Sequence, residues 1–233
     1  MRRSNSENTV KEKRMKIQTD AYEAAAYLAL PNSQPAPGVL VLHPWWGLNE
    51  DIKGVCDRLA EAGFVALAPD LYDGRITTTI EEAEKYSELM DEDAAAALTK
   101  AAADALLAHE GCRGNQIGVI GFSLGASFAV GIAHDQPDAV SAVVLFYGLG
   151  WAEQTKTQAS YLGHFAENDP YEDDEYREHF EQKLKENGRP ATFHIYPGAG
   201  HWFFEPSRPD AYDPAAAERA WERTLVFLKQ TLG

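Results

Sequence analysis

Ser123 lies in the run Gly121-Phe122-Ser123-Leu124-Gly125, and chemistry can be read there first. Residues 116–120 before it are apolar and predict a short buried strand. Residues 126–134 after it predict a helix with a small-residue face. A serine between two glycines on a strand-to-helix turn can project its hydroxyl from the sheet, since a side chain at either flank would collide with the neighbouring strand or helix. The helix starting there also turns its free N–H groups and positive dipole end toward that hydroxyl. The pentapeptide alone equally describes a glycine-rich turn with a solvated serine. The flanking strand and helix favour a nucleophile, which then needs a base, an acid and donors for an oxyanion.

In sheets that alternate with helices, reactive groups gather at the carboxyl ends of strands. The predicted strand 191–196 is followed by Pro197-Gly198-Ala199-Gly200-His201, and a histidine on such a loop can approach Ser123 closely. His201 is therefore the expected base. His43 also follows a strand, where it would line the pocket or bond a neighbouring loop. His109, His134 and His179 fall in helical patterns and read as solvated, while His164 and His194 fall in strands and read as structural. The strand 160–166 ends at Glu167-Asn168-Asp169-Pro170. Asp169 is the expected acid, with the following proline fixing the turn, and Glu167, Asp173 and Asp174 are its competitors. The acidic run 172–175 reads more simply as the start of a solvated helix.

In this reading His201 takes the Ser123 proton as the hydroxyl attacks a carbonyl carbon and later protonates the leaving group, while Asp169 orients the imidazole. One oxyanion donor is the N–H of Leu124. The other comes from the loop after strand 39–42, where Pro44 has no N–H and Trp45 is the nearest candidate. Trp45, Trp46, Tyr72, Trp202, Phe203 and Phe204 fall on strand-end loops. With His43 they suggest a pocket for an apolar or aromatic acyl or alcohol group.

The remaining elements must hold these residues. Strands are expected at 15–19, 22–30, 39–42, 64–68, 140–146, 160–166 and 191–196. Helices are expected at 50–61 with Asn49 as cap, at 80–109 broken near 90–93, at 176–187, and from Asp213-Pro214 to about 232. Alternating strands and helices predict an α/β protein with a mostly parallel sheet covered on both faces. Residues 1–14, polar and locally basic without an apolar segment, read as a disordered tail, not a signal peptide, and 15–233 as one domain.

The formal net charge of −15 argues against nucleic acid or an anionic membrane as partner and would repel anionic substrates at long range. No apolar run approaches membrane-spanning length. Cys56 and Cys112 lie in no paired-cysteine or Cys/His cluster, so no metal, redox centre or other cofactor is expected, and a reducing, cytoplasmic setting is the default. The expected partner is a small ester or lactone, acted on by a monomer or small homo-oligomer.

From residue 22 to 232 the chain resembles the dienelactone hydrolase family of α/β-hydrolases. The carrying stretches are VLVLHPWWGLN at 39–49, GFVALAPDLYD at 63–73, GVIGFSLGA at 118–126, GHFAENDP at 163–170 and YPGAGHWF at 196–203. The resemblance implies an α/β-hydrolase fold, the triad order Ser123, Asp169, His201, and hydrolysis of a carboxylic ester or lactone. The best-known members of the family use a cysteine where this chain has Ser123, an activating glutamate where it has Pro44, and a carboxylate-holding arginine where it has Glu205. A serine relies on histidine for activation, so the first two departures agree with each other. Arg208 or Arg75 could take over the arginine's part. Other readings are a general carboxylesterase acting on a neutral substrate, and a binding scaffold, which would have no need of the ordered triad.

Overall fold

The computed structural model describes residues 11–150 and 156–233. Apolar runs without alternation are buried on both faces, and they form the middle of the sheet. These are β3 (Ala36–Leu42), β4 (Val65–Pro69), the apolar second half of β5 (Cys112–Phe122), β6 (Val140–Phe146) and β7 (Ser160–Asn168). With β1 (Lys11–Gln18), β2 (Glu23–Leu30) and β8 (Ala191–Gly200) they make one eight-stranded sheet, ordered β1-β2-β4-β3-β5-β6-β7-β8. β1, β2 and β4 pair antiparallel, and every pairing from β4 to β8 is parallel.

Side chains alternate across β3, and each face has its own helices. Val39 and Val41 pack with α1 (Glu50–Glu61) and α6 (Pro214–Leu232), through Ile52, Leu59, Ala217 and Leu228. Leu40 and Leu42 pack with α3 (Glu92–Leu107), α4 (Leu124–Asp135) and α5 (Asp174–Glu186), through Leu98, Leu106, Ala126, Val130 and Phe180. The short α2 (Ile80–Glu88) precedes α3. Asn49 caps α1 by accepting from the Ile52 N–H, and Asp213 caps α6 with Pro214 in its first turn, as their sequence positions imply.

Several boundaries differ from expectation, β3 starting at Ala36 rather than 39 and β7 ending at Asn168 rather than 166 among them. β1 starts at Lys11, so residues 11–14, expected in the tail, pair with residues 27–30 of β2; residues 1–10 lie outside the described residues. A polar, basic segment suits an edge strand. β5 starts at Cys112 rather than 116. β8 continues to Gly200, so the expected loop 197–200 is strand, held by an Asn168–Gly200 pairing after a register shift in β7. Among the described residues, no helix is long and apolar enough to cross a membrane.

Candidate active site

Ser123 directly precedes α4, with φ +48° and ψ −114°. A non-glycine residue held there costs roughly 1–3 kcal/mol and persists only when its surroundings enforce it. A Cβ on Gly121 would strike the Gly125 carbonyl oxygen and come within 2.6 Å of Ala126 Cα. A Cβ on Gly125 would strike the Leu42 carbonyl oxygen and come within 2.7 Å of that of His43. The two glycines therefore let the first turn of α4 rest on the end of β3. The Ser123 N–H donates to the Phe146 carbonyl at 2.9 Å, which fastens the elbow to β6.

His201 follows β8 and is 5% exposed. Its Nε2 lies 2.9 Å from Ser123 Oγ, and its Nδ1 lies 2.8 Å from each Asp169 carboxylate oxygen. With Nδ1–H donating to the carboxylate, Nε2 is the lone pair that faces the serine hydroxyl. Asp169 also accepts from the Tyr171 N–H at 3.0 Å, which shapes the turn after β7. The competing acids are engaged elsewhere. Glu167 accepts from the Gly198 N–H at 2.9 Å, Asp173 caps α5 through the Tyr176 N–H at 2.7 Å, and Asp174 pairs with Arg177.

Beside His201, 5.0 Å away between ring centroids, lies the buried ring of Tyr147. The Tyr147 hydroxyl donates to Glu205 Oε1 at 2.8 Å, and Glu205 Oε2 is buried without a partner. Burial pushes the Glu205 carboxyl up to about 8.

Next to the serine a cavity of about 390 Å³ opens, lined by Trp45, Ser123, Leu124, Ser127, Leu149, Tyr171, Glu172, Asp173, Tyr176 and His201. Leu124 is the first residue of α4, so its N–H has no acceptor within the helix. Trp45 is brought alongside by the contact between β3 and α4. Burial, then Asp169, pushes the Glu172 carboxyl up to about 7, with Arg177 and the Leu149 N–H working against the shift.

Of the expected pocket residues, His43, Trp46, Tyr72, Trp202 and Phe203 do not line this cavity, and neither does Phe204. They pack beneath the rim because large rings at strand ends bury more area inward than they would around an open mouth. Trp46 is 1% exposed and packs on Trp202, with the Arg208 guanidinium over both rings at 4.4 and 4.9 Å. Phe203 packs against Tyr147 and Tyr196, and Tyr72 against His43. His43 bonds the neighbouring loop, the second of its two expected roles. Its Nδ1 donates to the Pro44 carbonyl at 2.7 Å and its Nε2 accepts from the Leu71 N–H at 3.0 Å, while burial holds its pKa below the ordinary value.

Neither arginine expected to replace the family's carboxylate clamp reaches the cavity. Arg208 donates to the Thr78 carbonyl and to Asp210, and Arg75 lies over the Tyr86 ring. The wall residues missed from sequence include Ser127, Leu149, Tyr171, Glu172 and Tyr176. Their only signal was position, since Tyr171 and Glu172 follow Asp169 on the same loop.

An open, mostly parallel sheet with a serine on such an elbow defines an α/β-hydrolase. A sequence model of the dienelactone hydrolase family matches residues 24–232, and the chain belongs to that family. It is 33% identical to "Protein usf" of Aquifex pyrophilus over 94% of this chain and 98% of that one. It is also 33% identical to a Bradyrhizobium protein named "Probable 2-oxo-3-(5-oxofuran-2-ylidene)propanoate lactonase", over 91% of this chain and 92% of that one. Its fold is shared with a dienelactone hydrolase-like promiscuous phosphotriesterase from metagenomic libraries, at a TM-score of 0.86 and 24% identity, covering 96% of this chain and 99% of that one.

Proposed function

We propose that this hydrolase cleaves carboxylic esters or lactones through an acyl-enzyme on Ser123. The observation that carries this is the continuous hydrogen-bond chain Asp169–His201–Ser123, with every link between 2.8 and 2.9 Å. His201 Nε2 accepts the hydroxyl proton as Ser123 Oγ attacks the carbonyl carbon. The Leu124 and Trp45 N–H groups face the developing oxyanion. His201 then delivers the proton to the leaving oxygen, and in a second half-reaction it activates water against the acyl-enzyme. Asp169 keeps the imidazole in the orientation and tautomer that both halves use. Loss of one oxyanion donor costs about 3–4 kcal/mol of transition-state stabilisation in comparable sites.

The Bradyrhizobium relative's name supports a lactone as one substrate form. No lysine or arginine is among the described lining residues, which favours a substrate without a carboxylate. A fluorophosphonate probe tests the nucleophile. It should label the wild type at Ser123, and Ser123→Ala should lose both the label and p-nitrophenyl acetate turnover, by on the order of 10⁴-fold or more. A wild type that resists the probe and leaves the ester intact would overturn the reading.

A further inference from the structure

The triad requires a substrate in the cavity beside it, and the walls of that cavity bear on the substrate's charge. Among the described lining residues, the ionisable acids are Glu172 and Asp173, and the aromatic walls are Trp45, Tyr171 and Tyr176. The Trp45 and Tyr171 rings meet at a centroid distance of 5.6 Å, and Tyr171 also packs on His201 at 4.9 Å. Aromatic faces beside a carboxylate recognise ammonium groups, through the ring quadrupole and the opposite charge together. The two arginines that could have reversed this charge are held elsewhere, one between Trp46, Trp202 and the Thr78 carbonyl and one over Tyr86.

Resting on the hydrolase reading above, we propose that the cavity selects esters carrying a positively charged ammonium group, which Glu172 and the rings of Trp45, Tyr171 and Tyr176 hold beside Ser123. The overall charge of −15 adds a long-range field of the same sign. The groups facing Glu172 are Asp169 across the turn, Asp173 beside it, Tyr176 and Arg177 from α5, and the Leu149 N–H from the loop after β6. Their sum with burial leaves Glu172 charging near pH 7, so cation selection is weak at pH 6 and full at pH 8.

The test compares choline with its neutral carbon isostere, 3,3-dimethylbutan-1-ol, as competitive inhibitors of p-nitrophenyl acetate hydrolysis. Desolvation favours the neutral alcohol, so a preference for choline can come only from charge. At pH 8 choline should inhibit about tenfold more tightly than the isostere. The ratio should fall toward one at pH 6, and Glu172→Gln should bring it near one at both pH values. Taking the ratio removes any pH dependence that both competitors share. Glu175→Gln, at an exposed α5 position outside the cavity, should leave the ratio as it is, and an equal loss there would assign the effect to the overall field instead. Equal inhibition by the two alcohols, tighter binding of the neutral one, or no inhibition by either overturns the proposal while leaving the hydrolase intact. Should Glu172→Gln fail to fold, the wild-type ratio at pH 8 decides, and a value of one or below overturns the proposal. Failure of the hydrolase reading looks different, with no turnover of the reporter ester and no labelling of Ser123.

Discussion

At the scale of single residues, the hydrogen bonds of His201 distinguish Asp169 from three acids that neighbour it in sequence. Both Asp169 oxygens sit 2.8 Å from the imidazole, while Glu167, Asp173 and Asp174 serve a strand, a helix cap and an ion pair. Asp169→Asn should lower kcat by about 10⁴-fold, because the amide favours the wrong tautomer of His201. Asp174→Asn should stay near wild type, and steady-state kinetics on p-nitrophenyl acetate separates the two. That Ser123, Asp169 and His201 come together was legible, because each stands at the end of a recognisable strand. The cavity wall was not. Trp46, Trp202 and Phe203 share their loops with site residues, and whether a ring on such a loop faces the mouth or the core depends on packing partners from distant segments. Trp202, for example, is turned inward by Trp46 and Arg208.

At the scale of elements, the contact between β3 and α4 sets the geometry of the elbow. Gly125→Ala should cost about 3 kcal/mol, because the added methyl meets the β3 backbone instead of a movable side chain. The same shift would carry the Leu124 N–H away from the oxyanion position that the proposed mechanism needs. Thermal melts and kcat should therefore fall together. Gly131→Ala in the same helix meets nothing within 4 Å and should gain roughly 0.5–1 kcal/mol. The glycine at 125 could be anticipated from its place in the motif. The extra length of β8 could not, since Pro197-Gly198-Ala199-Gly200 has loop composition and becomes strand only through its pairing with β7. The start of β1 has the same origin, because its basic residues are ordered by an edge that β2 supplies.

At the scale of the whole molecule, buried titratable groups set how stability varies with pH. Burial lowers the pKa values of His43 and His164, so the fold favours their neutral forms. Their contribution is present above the unfolded value of 6.5 and is lost as pH falls below it. Glu205 has the opposite sign. Its carboxyl is raised from 4.5 to about 8, so its contribution is complete below 4.5 and is lost as pH rises through about 8. The melting temperature should peak between about pH 6 and 7 and decline on both sides. Glu205→Gln keeps an acceptor for Tyr147 and has no charge to bury, so its advantage over wild type should grow between pH 6 and 8 and then level off. A variant whose melting curve tracks wild type at pH 9 would show that Glu205 does not carry the alkaline limb.

The hydrogen-bonded chain Asp169–His201–Ser123 joins strands that are distant in sequence. Ser123 follows β5, Asp169 follows β7 and His201 follows β8, at separations of 78 residues between serine and histidine and 32 between histidine and acid. No helix or hairpin formed early in folding contains two of the three. Such contacts carry a loop-closure cost and form only as the parallel sheet closes. Ester turnover should therefore return after helical circular dichroism in a refolding experiment, which makes activity a reporter of complete sheet assembly rather than of local structure.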